Sequence, residues 1–268
     1  MRILWQNNTS ENIPGFRAFS PFWGFLQQEL DKVARPGTQV EVRHLGHSTN
    51  YVRSRYGDFV NNSCLVEQVL DAEEQGYDGV ILGCFPDPQL YALREVMNIP
   101  VVGIGEAAML TALALGYRFA VVTVDDAIVP NMDMQVRLYG LEDRAIYRPV
   151  RAVRPPFTRE HYLKGMTDPH GVLVPAFFET ARECVRDGAE VILIGCGYMG
   201  FILTSNSITR MDGEVPLVNP GACAVKLIEG LVDLESSVGL RKSTAGYFKP
   251  PGEGLVKAIR AAAREDRS

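Results

Sequence analysis

EVILIGCGYMG, residues 190–200, is the stretch whose reading decides the fold. Val191 to Ile194 is an unbroken apolar, mostly β-branched run. Such a run suits a strand covered on both faces, which is the condition of a parallel sheet flanked by helices. The strand then meets Gly195, Cys196 and Gly197 and gives way to a helical pattern. Two chemistries compete for this junction. Gly195, Gly197 and Gly200 spell G-x-G-x-x-G, the glycine fingerprint of a dinucleotide site. Alternatively, the group that matters is the thiol of Cys196.

Similar strands recur along most of the chain: RILWQN (2–7), TQVEVRHLG (38–46), DGVILGC (78–84), PVVGIG (100–105), RFAVVTV (118–124), DRAIYRPVRAV (143–153) and VPLVNPG (215–221). Helical stretches such as SCLVEQVLDAEEQG (63–76) and AFFETARECVRDG (176–188) lie between them. Strands alternating with helices predict an α/β fold with parallel sheets and right-handed crossovers.

The pattern also repeats. EEQGYDGVILGC (73–84) is followed by a helix and NIPVVGIGEAAMLTALALG (98–116); VRDGAEVILIGC (185–196) is followed by a helix and EVPLVNPGACAVKLIEGLV (214–232). Each half reads helix, Gly, strand, Gly-Cys, helix, Pro, strand, Gly, Ala-rich helix. Cys84 and Cys196 hold the same place in each, 112 residues apart. The expected organisation is a first α/β lobe over 1–115, a second over 116–225, and a tail, 226–268, packed back on one lobe, with the first favoured.

The composition bounds the function. The chain has 268 residues, 46% of them hydrophobic and 22% charged, an ordinary globular balance. Net charge is −5 and no basic run tracks phosphates, so nucleic acid is not an expected partner. MRILWQNNTS has the character of neither an export signal nor a membrane span, so a cytoplasmic location with reduced thiols is expected. The five cysteines include no C-x-x-C, and the four histidines form no ligand cluster, so neither a metal site nor a disulfide framework is expected.

The dinucleotide reading needs an acidic residue at the end of the next strand, to hold the ribose. After Gly200 that strand ends in Asn219. A second glycine loop, Gly103-Ile-Gly105-Glu106-Ala107-Ala108, has Asp125 at a suitable spacing, but Glu106 sits where a pyrophosphate would bind and would repel it. A lone cysteine is usually a small buried hydrophobe, and Cys64, Cys184 and Cys223 fit that description. Cys84 and Cys196 differ because both fall at the carboxyl edge of a sheet, where ligands bind. Each also precedes a predicted helix, whose N-terminus favours a thiolate. Lobes facing each other about a pseudo-twofold would oppose the two sulfurs across the cleft. One thiolate would then remove a proton from carbon and the opposite thiol return one on the other face, with the N–H groups of Phe85 and Gly197 stabilising the enolate-like charge.

LGCFPDP (82–88), GIGEAAM (103–109), RFAVVT (118–123) and LIGCGYM (193–199), with the opening RILWQNNTS, together resemble the hydantoin racemase branch of the aspartate/glutamate racemase superfamily. The resemblance covers residues 1 to about 225. It implies a cofactor-independent racemase or epimerase built of two flavodoxin-like α/β lobes with the active site in the interlobe cleft, acting on a small amino-acid-derived substrate such as a 5-substituted hydantoin, and assembled as a homo-oligomer. By the same resemblance Cys84 and Cys196 are the catalytic pair, and Asn8, Thr9, Phe85, Thr123, Gly197 and Tyr198 lie at the substrate. Several positions depart from the branch. Pro86 stands for its usual Gly, Gly197-Tyr198 for Ala-Gly, and the opening lacks the Pro of Asn-Pro-Asn-Thr-Ser. GFRAFSPFWGF (15–25) has no counterpart there. Tyr198, Phe85 and Trp23 are therefore expected to reshape the pocket rim.

Two relatives in the same superfamily remain as alternatives: a cis-trans isomerase of the maleate type, which also uses both cysteines, and a malonate-type decarboxylase, which keeps only the second. A non-catalytic two-lobed binding protein is the alternative of a different class.

Overall fold

The computed structural model describes residues 1–10, 19–49 and 53–265; residues 15–18 of the aromatic stretch above lie outside the described part. The first half runs β1 (Arg2–Gln6), α1 (Ser20–Val33), β2 (Gln39–Arg43), α2 (Arg55–Val69), β3 (Gly79–Leu82), α3 (Leu90–Val96), β4 (Val101–Gly103) and α4 (Ile104–Leu115). The second half runs β5 (Phe119–Thr123), α5 (Val129–Leu138), β6 (Ala145–Ala152), α6 (Arg159–Gly165), α7 (Pro169–Val172), α8 (Val174–Arg186), β7 (Val191–Ile194), α9 (Gly197–Ser205), β8 (Arg210–Met211), β9 (Val215–Val218) and α10 (Pro220–Val238). A last helix, α11, spans Glu253–Glu265.

The strands form two sheets, ordered β2-β1-β3-β4 and β6-β5-β7-β9-β8. All pairings are parallel except β8 with β9, a two-residue edge strand that no sequence periodicity announced. Leaving β8 aside, each sheet has its first strand between its second and third, which is the flavodoxin-like order. In such sheets the crevice for a ligand opens where the winding reverses. That place lies between β1 and β3 in one sheet and between β5 and β7 in the other. Cys84 and Cys196 directly follow β3 and β7.

Alternation along β1 shows why its run is apolar throughout. Ile3 and Trp5 face a core that continues through both halves to Ile228, whereas Leu4 faces a separate cluster with Leu65, Val80 and Leu93 beneath α2 and α3. Both faces are dry, so neither can be polar. The halves also exchange their last helices. α4, which follows β4, packs on β7 and β9, and α10, which follows β9, packs on β3, β4 and α4. Ile228 of α10 seats over Gly79 at the start of β3. α10 starts where it does because Pro220 sets the first helical φ and the Asn219 side chain accepts from Gly221 and Ala222 N–H. Beyond it, Lys242 donates to the Arg94 carbonyl at 2.6 Å, Tyr247 and Phe248 pack edge-on against Tyr91, and Arg260 pairs with Glu67 and Asp71. No described helix is long and apolar enough to cross a membrane.

Candidate active site

A cavity of about 830 Å³ opens between the carboxyl edges of the two sheets, and the side chains of Cys84 and Cys196 both line it. Asn8, Thr9, Phe85, Gly197 and Tyr198 border the same cavity. Thr123 does not. It is wholly buried one layer behind, where its hydroxyl donates to the Gly195 carbonyl at 3.3 Å and ties β5 to the loop carrying Cys196. Trp23 is likewise absent from the lining. It packs on the His44 ring with centroids 4.3 Å apart, and Phe19 takes its place at the rim.

The cysteines are equivalent in the sequence repeat but not in their surroundings. Cys196 is the N-cap residue of α9, with extended backbone, and its carbonyl accepts the first intrahelical bond from Gly200 N. The N–H groups of Gly197 and Tyr198 thus belong to the helix's first turn, although the Cys196 side chain makes no capping hydrogen bond to them. The Tyr162 hydroxyl lies 3.5 Å from Cys196 Sγ. Cys84 is placed otherwise. Its carbonyl accepts from Asp87 N in a turn, and α3 begins only at Leu90. The expectation that a helix N-terminus follows each cysteine therefore holds for Cys196 alone, because Pro86, Asp87 and Pro88 turn the chain first. Burial pushes the Cys84 thiol well above its ordinary range, with Asp58, Cys196 and Asp87 adding to the rise and Asn8 opposing it.

What holds the Cys84 loop is a buried carboxylate. Asp87 has φ +49° and is 5% exposed. It accepts from Gly105 N at 2.8 Å, Glu106 N at 2.6 Å, Tyr139 Oη at 2.8 Å and Gln135 Nε2 at 2.8 Å. Gln135 Nε2 also donates to the Phe85 carbonyl at 2.7 Å. The clamp thus joins the Cys84 loop to α4 and to α5 in the other half. It also explains the glycine loop at 103–108. A Cβ on Gly105 would lie 2.1 Å from the Phe85 carbonyl oxygen, and one on Gly103 would lie 2.2 Å from Asp87 Cγ. Those glycines admit the protein's own carboxylate to a helix N-terminus, where a phosphate would otherwise bind. Burial, opposed by these donors, leaves the Asp87 carboxyl pushed up to about 7.

Polar and charged residues line much of the remaining wall, among them Asn8, Arg53, Asp58, Asn131, Arg159 and Glu160. Asn8 Nδ2 donates to Asp58 Oδ1 at 3.1 Å, the Thr9 hydroxyl interacts with the Tyr198 phenol, and Asn8 Oδ1 is buried without a partner among the described residues. Arg53 reaches across the cleft to Asp125 Oδ2 at 2.5 Å and the Phe157 carbonyl at 2.6 Å. Asp125 also caps the short turn at 126–128 by accepting from Ala127 N. Tyr198 is fixed by aromatic contacts, with ring centroids 4.8 Å from Phe22, 6.1 Å from Phe19 and 6.2 Å from Tyr162. Tyr162, Asp58 and Arg53 carry no local signal that could have marked them. They sit in helical or loop stretches of ordinary polarity and reach the cavity only through the fold.

Solved structures with this two-sheet arrangement include racemases and an arylmalonate decarboxylase. Allantoin racemase from Klebsiella pneumoniae superposes with a TM-score of 0.76 at 25% identity, covering 94% of each chain. Allantoin racemase from Pseudomonas fluorescens gives 0.75 at 28% identity, covering 94% of this chain and 97% of that one. In sequence, the hydantoin racemase of Pseudomonas sp. strain NS671 is 30% identical over 234 residues, 87% of this chain and 89% of its own length. The family model for Asp/Glu/Hydantoin racemase matches residues 26–228, and the chain belongs to that family. Membership supports racemase activity, as the paired motifs around Cys84 and Cys196 lead one to expect.

Proposed function

We propose that this protein is a cofactor-independent racemase in which Cys84 and Cys196 act as paired acid and base on an amino-acid-derived carbon acid of the 5-substituted hydantoin kind. The observation that carries the reading is that one sulfur from each half borders a single cavity, each at the place where its sheet's winding reverses. The cavity's volume, about 830 Å³, suits a small organic molecule. The relatives' names supply the ring, since hydantoin and allantoin are both cyclic ureides. Such a ring presents N–H donors, one of which the unpartnered Asn8 Oδ1 would accept.

In the reaction a thiolate takes the proton from the ring carbon that bears the substituent. The C–H bond breaks, an S–H bond forms, and the electron pair moves onto the neighbouring carbonyl as an enolate. The N–H groups at the start of α9 stabilise that oxygen. The opposite thiol then delivers its proton to the other face, leaving the configuration inverted and the two sulfurs with exchanged protonation.

The test is turnover of single enantiomers of 5-substituted hydantoins and allantoin in deuterium oxide. Loss of optical rotation with label entering the ring carbon supports the reading. Turnover of a cis-alkene diacid without label would replace it with the isomerase alternative. Cys84→Ser and Cys196→Ser should each abolish inversion while remaining folded; an unaffected single variant would exclude the two-base mechanism.

A further inference from the structure

We infer that Tyr162 is a positioning residue that holds Cys196 as the resting base, leaving Cys84 as the resting acid. The inference rests on the two-cysteine reading above and settles a matter that reading leaves symmetric. The sequence repeat gives the cysteines identical frames, so the choice between them must come from what the fold brings to each.

To Cys196 it brings hydrogen-bond donors. Tyr162 from α6 is 5% exposed and points its hydroxyl at the sulfur from 3.5 Å. Burial first, then the neighbouring Cys196 sulfur, holds this phenol far above its ordinary range, so it keeps its proton and can only donate to a thiolate. Cys196 is also the N-cap residue of α9, a helix of nine residues whose dipole favours negative charge at that end, although its side chain makes no capping hydrogen bond. The other titratable groups at this end of the cavity are the Tyr198 phenol from α9, the Cys84 thiol, the cations Arg53 and Arg159, and Glu160 of α6, which is exposed and paired with Lys164. The cations favour negative charge here, although Arg53 is paired with Asp125.

To Cys84 the fold brings carboxyl groups. Asp58 of α2 stands over this side of the cavity, held by Asn8 and Asn62, and Asp87 lies three residues further on. No helix begins at Cys84 to offset them, and only the Asn8 side chain opposes their effect. A thiolate at Cys84 would face these carboxyls and the Cys196 charge together, whereas a thiol there is a neutral proton donor at the cavity wall. One negative charge shared by two sulfurs therefore resides on Cys196.

The experiment is alkylation of the full chain by iodoacetamide at neutral pH, with the modified cysteines mapped by peptide mass and folding checked by circular dichroism. Cys196 should react at least about tenfold faster than Cys84. Tyr162→Phe should slow Cys196 by about tenfold, leave Cys84 unchanged, and lose its effect at strongly alkaline pH, where thiols ionise unaided. A role limited to packing would not give that pH dependence. A second measurement needs no variant of Tyr162: the ultraviolet thiolate absorbance at neutral pH should persist in Cys84→Ser and vanish in Cys196→Ser. Faster alkylation of Cys84, a Cys196 rate indifferent to Tyr162→Phe, or the reverse absorbance pattern overturns the assignment. The racemase reading is separable, because it stands or falls on deuterium incorporation and not on alkylation order.

Discussion

Removal of the Asp87 carboxylate is the perturbation whose consequences can be followed furthest from the structure. Asp87→Ala takes the acceptor from Gly105 N, Glu106 N and Tyr139 Oη, and one of three acceptors from Gln135 Nε2. It also removes the only side-chain cap that α4 has, since its own N-cap residue is Gly103. A lost cap costs about 1 kcal/mol. Each buried donor left unpaired costs about 1–3 kcal/mol, although the four share one site and do not add independently. A destabilisation of about 3–5 kcal/mol is expected, measured as a shift of the urea midpoint at unchanged slope. Activity should fall as well, since Gln135 and Asp87 set the position of the Phe85 carbonyl and hence of Cys84. A displacement near 1 Å at a reacting group costs about a hundredfold in rate. Asp87→Asn, which keeps the shape and part of the bonding, should lie between. A loss below about 1 kcal/mol in Asp87→Ala, together with an unchanged kcat, would refute the clamp.

Further outcomes follow from other contacts. Asp87 carries its proton in the folded state up to about pH 7 but loses it near 3.8 when exposed. Between those values the native state binds the extra proton, so its contribution to stability is full below pH 4 and declines as pH rises to 7. The decline is at most about 1.4 kcal/mol per pH unit, visible as a difference between wild type and Asp87→Asn in urea titrations across that window. Arg53→Ala removes the bonds to Asp125 and the Phe157 carbonyl across the cleft; with the guanidinium about a third exposed, a loss of about 1–2 kcal/mol is expected, and KM should rise more than kcat falls. Ile228→Ala should cost about 2–4 kcal/mol in thermal or urea unfolding, because Ile228 is wholly buried and seats α10 on β3 of the other half. Unchanged stability in that variant would contradict the exchange of α4 and α10 between the sheets.

Much of the fold is legible in the chain because its information is local. Runs such as VILIG and FAVVT are apolar at every position, which only a strand with two dry faces requires. Of the nine strands among the described residues, eight are visible as such runs or, for β2 and β6, as β-branched stretches mixed with charge, and β8 escapes because two residues carry no period. The Gly-Cys pairs mark the site because they fall at strand ends, where the sheet presents its ligand edge. Arg53, Asp58 and Tyr162 are invisible by the same logic. Each stands on a segment whose local pattern is satisfied without reference to the cavity, and only the packing of α2 and α6 over the sheet edges brings them there. The glycine loop at 103–108 looks like a phosphate site for a sound reason, since it is a helix N-terminus open to an anion. The group it holds proves to be the Asp87 carboxyl, from a residue distant enough that no spacing rule connects them.

The sequence by itself determined the alternation of strands and helices, the doubled lobe, and the two thiols at matching edges, since periodicity and repetition are properties of neighbouring residues. Tertiary structure alone decided three other things: that α4 and α10 cover each other's sheets, that Thr123 lies behind the cavity, and that Cys196 has a helix and a phenol beside it while Cys84 has carboxyl groups. These depend on which surfaces meet, and surfaces meet through the shape of distant side chains packed to crystal density. Identical local frames can therefore end in unlike electrostatic surroundings.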